Sequence, residues 1–102
     1  MDMHESLLRA VLATIARQVF PPDKVIEILS ARNSGKKQIA AYNLCDGATP
    51  QFEVGKRVGL DKGSLSRSIS RWVEAGIVVR IGPNDLPLHV YPLSLSDRLK
   101  PK

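Results

Sequence analysis

The first part of the chain repeats apolar residues at helical spacing. Between positions 6 and 20 an apolar stripe recurs every three or four residues, and further apolar residues widen it on both sides. Its members are Leu8, Val11, Leu12, Ile15, Ala16 and Val19. The stripe predicts a helix that stops at Pro21 and Pro22, because neither proline can donate the next backbone hydrogen bond. A second helix is predicted from Asp23 to about residues 32–35.

Two shorter helices are predicted next along the chain. The first covers about residues 36–45 and leaves Tyr42 or Asn43 partly covered. Its predicted buried residues are Ile39, Ala40 and Leu44. The second covers residues 50–58, and Thr49 is its predicted N-cap, because a hydroxyl side chain directly before a proline is typical of a helix start.

The helix predicted over residues 62–75 has the clearest pattern. Gly59 lies in the tight turn before it, Asp61 is its predicted N-cap, and a glycine directly follows its last residue. Within it, one apolar side is predicted to face the core, because its members recur at helical spacing. They are Leu65, Ile69 and Trp72.

The pattern then changes from helical to extended. Residues 77–81 are rich in β-branched side chains, and residues 82–87 are rich in turn formers. Residues 88–91 are predicted to return as the second strand of a hairpin, with His89 on its surface. The sequence therefore predicts a mainly α-helical fold that carries one β-hairpin.

Two segments, 61–67 (DKGSLSR) and 74–78 (EAGIV), are similar to the corresponding parts of MarR-type winged-helix regulators, and the likeness extends over about residues 36–92. The resemblance implies a winged helix-turn-helix domain over that range, preceded by an N-terminal helical extension. It also implies that residues 62–75 are the recognition helix and that residues 77–91 form the wing. The known members of the family are longer than this chain.

The outward face of that helix combines small hydroxyl side chains with arginine. Serine hydroxyls donate to phosphates, and arginine grips a phosphate or the major-groove edge of guanine with two hydrogen bonds. A glycine near the helix start lets the backbone approach an anion closely. Arg80, at the base of the wing, is placed to contact a further phosphate. The predicted DNA-binding residues are Lys62, Gly63, Ser64, Ser66, Arg67, Ser70, Arg71 and Arg80.

Basic residues outnumber acidic ones by 15 to 10, and the excess lies mainly in the middle of the chain. Residues 36–81 hold eight Lys and Arg against four Asp and Glu, whereas residues 1–35 are balanced. A basic segment is typical of polyanion-binding proteins, although ordinary solvated surfaces share this composition. We therefore expect a transcription regulator that binds double-stranded DNA. The alternative is a winged-helix protein-interaction module. The absence of Lys and Arg from residues 82–87 favours this alternative.

Residues 1–35 have two interpretations. Their apolar side chains either complete the core of one chain or form a homodimer interface, because a palindromic DNA site calls for two symmetry-related recognition helices. The dimer interpretation places Leu8, Leu12 and Ile15 at the contact. Residues 93–102 are predicted to be a polar C-terminal tail.

Other functions lack the residues that they need. No catalytic triad, glycine-rich phosphate loop or metal-ligand spacing occurs, so we expect neither an enzyme nor a cofactor. The single cysteine, Cys45, excludes an internal disulfide and is interpreted as core packing rather than a redox sensor. No apolar run approaches the roughly 18 residues that span a bilayer, and the acidic N-terminal segment does not open a signal peptide. A cytoplasmic, nucleoid-associated protein is expected.

Overall fold

The computed structural model describes residues 2–30 and 35–94, which form five helices and one two-stranded antiparallel hairpin. The mainly helical class with a β-hairpin is confirmed. Of the predicted tail, residues 93–102, Leu93 is 3% exposed, packs in the core and forms two hydrogen bonds with the Asn43 side chain. Residues 95–102 lie outside the described residues, as do residues 31–34. The elements are α1 (Met3–Val19), α2 (Pro22–Leu29), α3 (Gly35–Leu44), α4 (Gln51–Val58), α5 (Lys62–Ala75), β1 (Val78–Ile81) and β2 (Leu86–His89).

Local capping sets the bounds of the first two helices. The Asp2 carboxylate accepts a hydrogen bond from the Glu5 backbone N–H at 2.7 Å, so α1 begins three residues before the predicted start. The helix ends at Val19 because two prolines follow, and the second proline stands in the first turn of α2. Helix α2 ends at Leu29, which is earlier than predicted.

The predicted N-cap at Thr49 is wrong. Pro50 occupies the cap position of α4, and no side chain hydrogen-bonds to the start of that helix. The Thr49 hydroxyl instead donates to the Asp46 carboxylate at 3.2 Å, and the backbone N–H groups of Ala48 and Thr49 donate to it at 2.9 Å. The Asp46 carboxylate therefore stabilises the loop before α4. It accepts the hydrogen bond of the Thr49 hydroxyl, which was predicted to cap the helix.

The core lies between α2, α3, α4, α5 and the hairpin. Its buried apolar side chains include Val25, Leu29, Ala41, Tyr42, Cys45, Val54, Leu65, Ile69, Trp72, Ile77, Val78, Val90, Tyr91 and Leu93. Helices α2 and α5 both contribute to this single cluster, and so does the segment after β2. Thus α2 completes the core of its own chain.

The predicted inward face of α3 is rotated from the observed one. Gln38, Ala41 and Tyr42 are buried, whereas Ile39, Ala40 and Leu44 are only partly covered. Tyr42 can be fully buried because its hydroxyl donates to the Tyr91 carbonyl at 2.7 Å. The same ring meets Trp72 edge to face, with centroids 6.1 Å apart. A partner 49 positions away therefore decides which side of α3 faces inward.

The second strand starts two residues earlier than predicted, because Leu86 and Pro87 belong to β2. Ile81 pairs with Leu86, and the turn contains residues 82–85 only. Pro87 is accepted in the strand because its carbonyl points away from β1 and accepts from the Gly47 N–H at 2.9 Å. The position at which proline lacks an N–H therefore faces away from β1, and the ladder between β1 and β2 loses no hydrogen bond.

His89 is half-buried, which corrects the prediction of a surface position. Its Nδ1 lies 2.9 Å from the Tyr42 carbonyl oxygen, and its ring is tilted against the Tyr42 ring at 5.4 Å between centroids. Burial lowers the pKa of His89 below its ordinary value of 6.5.

Helix α1 contacts the rest of the chain along one narrow edge. Ala16 is its single buried residue, while Leu12 and Ala13 are partly covered. The Arg17 guanidinium lies 4.3 Å from the Tyr91 ring centre, and the Tyr91 hydroxyl donates to the Phe20 carbonyl. Within the part of the chain that the structure describes, no helix is both long and apolar enough to cross a membrane.

Candidate nucleic-acid interface

Helices α4 and α5 are joined by a tight turn whose geometry depends on two residues. Gly59 ends α4 in the left-handed backbone region (φ 75°), and its N–H donates to the Gly55 carbonyl at 2.9 Å. Asp61 then caps α5 by accepting from the Ser64 backbone N–H at 3.2 Å. The hydrogen bonds from Ser64 lower the pKa of the Asp61 carboxyl, and Arg67 contributes in the same direction. The predicted turn, cap and bounds of α5 are confirmed.

The buried side of α5 fixes which of its residues point outward. Leu65 is 1% exposed, Ile69 0% and Trp72 1%, as predicted. Ser68 completes this inward side. The opposite side of a helix is then set by its 100° turn per residue, and it contains most of the predicted DNA-binding residues.

The structure brings seven of the eight predicted site residues onto α5 and leaves them accessible to different degrees. Lys62, Ser66, Arg67 and Ser70 are exposed, and Gly63, Ser64 and Arg71 are partly covered. Between Lys62 and Val73 the helix carries no carboxylate, and Glu74 follows in its last turn. The outward face of its first three turns is therefore polar and positively charged.

The two arginines of this face are held differently. A Cβ atom placed on Gly63 would lie 3.3 Å from Arg67 Nη1, so the Arg67 guanidinium lies directly over the glycine. Arg71 Nη2 donates instead to the Ser68 hydroxyl at 3.2 Å, and Ser68 is 2% exposed. Arg67 is thus the more accessible of the two, while part of the hydrogen-bonding capacity of Arg71 is directed toward the protein.

Arg80, the eighth predicted residue, links the hairpin to the start of α4. Its guanidinium donates to the Asp85 carbonyl at 3.2 Å and to Gln51 Oε1 at 3.0 Å. These residues line a shallow open cleft together with Pro50, Asn84 and Leu86. Arg80 therefore remains exposed, but it is also a structural tie between two elements.

Two residues beside this surface were not predicted. Lys37, on α3, donates to the Gly59 carbonyl at 3.2 Å and so places an ammonium at the turn between α4 and α5. Gln51 reaches Arg80 across 29 positions of sequence. The two partners of each contact are far apart in sequence, so the local sequence pattern does not predict either contact. Only the pair of lysines at positions 36 and 37 indicates a positive charge beside the turn.

The chemistry of Cys45 agrees with a packing role. The side chain is fully buried, and burial, followed by the nearby Asp46 charge, raises the pKa of the thiol to about 12. Its Sγ lies 3.3 Å from the Ala41 carbonyl oxygen. A thiol with so high a pKa is a poor nucleophile at neutral pH.

Among residues 2–30 and 35–94, no three His, Cys, Asp or Glu side chains are grouped so that they hold a metal ion. Comparison with protein-family models, curated proteins and solved structures gives no significant match to this chain. The function of the α5 surface is therefore inferred from its own residues.

Proposed function

We propose that the protein is a winged helix-turn-helix transcription regulator that binds double-stranded DNA sequence-specifically, with α5 in the major groove. The order of α4, tight turn, α5 and hairpin is the order of that motif. The resemblance of residues 36–92 to MarR-type regulators supports the same proposal. The expected location is the cytoplasm, on the nucleoid.

The outward face of α5 is the observation that carries the proposal. Its exposed residues Ser66, Arg67 and Ser70 supply hydroxyl and guanidinium donors, and no carboxylate lies among them. The major groove is about 12 Å wide and admits a helix of about 10–12 Å diameter. The N-terminal half of α5, which contains Ser66 and Arg67, would contact base edges while α4 crosses the backbone.

Charge around this face supports a nucleic-acid partner. The chain has a formal net charge of +5 at pH 7, and Lys37 adds an ammonium beside the α4–α5 turn. Phosphate contacts from such residues give affinity without sequence information, so the base contacts of α5 must supply the specificity.

A homodimer forms part of the proposal. One recognition helix reads only a few base pairs, whereas two copies related by a two-fold axis read half-sites about 34–36 Å apart. Each copy would then occupy one half-site of an inverted repeat.

Selection from random duplex DNA tests the proposed function. The expected result is enrichment of an inverted repeat whose half-sites are about one helical turn apart. The affinity for the enriched duplex should also fall steeply as salt rises, because bound counterions are released from the phosphates. No enrichment, together with affinity that is insensitive to salt, would contradict the proposal.

The alternative is a winged-helix module that binds an acidic protein. The hairpin turn favours it, because residues 82–85 contain no Lys or Arg and do contain Asp85. The serine-rich face of α5 argues against it. The same selection separates the two, since a protein-interaction module would enrich no duplex sequence over the starting pool.

A further inference from the structure

Five basic side chains lie together where α3 begins, α4 ends and α5 begins. The hydrogen bond from Lys37 to the Gly59 carbonyl, at 3.2 Å, joins the first turn of α3 to the turn between α4 and α5. Every other member of the group lies within three residues of one of these two positions. We call the group the basic patch. All five of its residues are exposed, and they are Lys36, Lys37, Lys56, Arg57 and Lys62.

The basic patch has a net positive charge, because two carboxylates accompany its five cations. Glu53 forms an ion pair with Arg57, with its carboxylate 3.2 Å from Arg57 Nε, and Asp61 accepts a backbone hydrogen bond as the cap of α5. Within residues 2–30 and 35–94, no ion pair involves any of the four lysines of the patch. Their charges are therefore available to an anionic partner.

Lys37 is held in place by the fold. One of the three N–H donors of its ammonium bonds to the Gly59 carbonyl, and the other two can bond to an anion. A Cβ atom on Gly59 would lie 3.6 Å from Lys37 Nζ, so the ammonium lies close to this glycine. A side chain that is already held at a turn loses less conformational freedom when it binds a ligand.

The end of α5 and the hairpin that follows it have a different charge. The hairpin turn contains no Lys or Arg and does contain Asp85, and Glu74 is exposed in the last turn of α5. Arg80, at the base of the hairpin, already donates to Gln51 and to the Asp85 carbonyl. Positive charge is therefore concentrated around the start of α5 and not in the hairpin turn.

We propose that the basic patch binds the phosphate backbone of the duplex whose major groove receives α5, and that it supplies more of the sequence-independent affinity than the hairpin does. The inference rests on the proposed function, in which the outward face of α5 contacts the bases. In a helix-turn-helix the first helix crosses the backbone while the first turn of the second helix enters the groove. The phosphates of one groove wall then lie beside the last turn of α4, and the two lysines of α3 extend the contact along them.

The chemistry of the patch fits this ligand and sets the size of the expected effect. Ammonium and guanidinium groups bind phosphate oxygens without reading a base. Each neutralised phosphate releases counterions, so the logarithm of the association constant falls against the logarithm of the salt concentration with a slope of about 0.9 per contact. Loss of one contact should therefore weaken binding about fivefold to tenfold at 0.1 M salt.

Titration of the full chain against two duplexes tests the proposal. Lys36→Gln and Lys56→Gln each remove one charge from the patch and none of the ion pairs or hydrogen bonds of the described residues. Lys24→Gln is the matched control, because it removes the same charge from an exposed position on α2. All three variants should keep the circular dichroism and the melting temperature of the wild type.

Each protein is titrated with a selected duplex and with a scrambled duplex of the same length, between about 50 and 200 mM salt. Relative to the control, each patch variant should bind both duplexes about fivefold to tenfold more weakly at 0.1 M salt, with a salt slope that is smaller by about 0.9. The loss should be equal for the two duplexes, because phosphates carry no sequence information. Arg67→Ala should instead act mainly on the selected duplex.

The two duplexes separate this proposal from the proposed function. If no sequence is enriched but both patch variants still weaken binding to the scrambled duplex, the proposed function fails and the basic patch remains a phosphate-binding surface. If the wild type prefers the selected duplex but both patch variants match Lys24→Gln in affinity and in salt slope, the proposal on the patch is overturned and the proposed function stands.

Two further results would overturn the proposal. A loss confined to the selected duplex would mean that the patch reads bases rather than phosphates. A wild type that binds no duplex at about 50 mM salt would contradict both proposals. Binding of poly-glutamate by that wild type, weakened by Lys36→Gln and Lys56→Gln but not by Lys24→Gln, would then assign the patch to an acidic protein.

Discussion

The Arg67 guanidinium lies over Gly63, one turn earlier on α5. A Cβ atom on Gly63 would approach Arg67 Nη1 to 3.3 Å and the Asp61 carboxylate to 3.5 Å, so the absence of a side chain at position 63 leaves room for both groups. The Arg67 guanidinium thus lies against the first turn of α5, and its charge contributes to lowering the pKa of the capping Asp61 carboxyl.

Replacing Gly63 with alanine should separate stability from binding. Alanine is the better helix former by up to about 1 kcal/mol, so we expect an unchanged or slightly higher free energy of unfolding. The new methyl group shifts Arg67 Nη1 by a few tenths of an ångström and occupies the space in which the proposed phosphate would approach the backbone, so the affinity for duplex DNA should fall. Urea unfolding and a DNA titration on the same samples measure both effects. A variant that binds as tightly as the wild type would show that the position of Arg67 over the glycine has no role.

Trp72 should contribute more to stability than any other residue of α5. It is 1% exposed and meets the Tyr42 ring edge to face. Trp72→Ala should lower the free energy of unfolding by about 3–5 kcal/mol, through lost burial and the cavity left behind. The control is Val73→Ala. Val73 follows Trp72 but is 37% exposed, so its truncation should have little effect on the free energy of unfolding. Equal melting temperatures for the two variants would mean that the helix is rotated.

The sequence predicted α5 well because its determinants are local. The cap at Asp61, the helical recurrence of Leu65, Ile69 and Trp72, and the closing glycine all act within fifteen positions. The outward face follows once the inward one is known, so the site residues on this helix could be identified without any tertiary contact.

Features that depend on distant partners were missed. The inward face of α3 is set by the hydrogen bond from Tyr42 to Tyr91, and the early start of β2 by the one between Pro87 and Gly47. The hydrogen bond from Lys37 to the Gly59 carbonyl, at the α4–α5 turn, was missed for the same reason. Apolar periodicity contains no information on such pairs, because a tyrosine hydroxyl becomes buriable only when a carbonyl elsewhere in the chain accepts it.

His89 should make stability depend on pH. Burial holds its pKa in the folded protein below the unfolded value of 6.5, so the unfolded chain binds a proton first as pH falls. The full stability is present above pH 6.5 and declines as the pH falls through that value toward the folded pKa. His89→Gln should flatten this decline in urea unfolding between pH 7.5 and 5.5, whereas His4→Gln, on the exposed start of α1, should not. A decline that is the same in all three proteins would contradict the prediction.

The hairpin turn should contribute little to DNA binding. Residues 82–85 carry no basic side chain, and Arg80 beneath them is already bonded to Gln51 and Asp85. Replacing the four turn residues with Asn-Gly keeps Ile81 paired with Leu86 in a two-residue hairpin. Affinity for duplex DNA should stay within about tenfold, or roughly 1.4 kcal/mol. A larger loss with the hairpin intact would show that the turn itself contacts DNA.

The affinity of Arg67→Ala for a selected duplex tests the central claim most directly. Lys24→Ala removes the same charge from an exposed position on α2 and is the matched control. At equal salt we predict that Arg67→Ala weakens binding by about 1–3 kcal/mol and relaxes the base preference at one position. The double variant with Arg71→Ala should weaken it further, and the control should bind nearly as the wild type does. Wild-type affinity in the folded double variant would contradict the assignment of α5 as the DNA-reading helix.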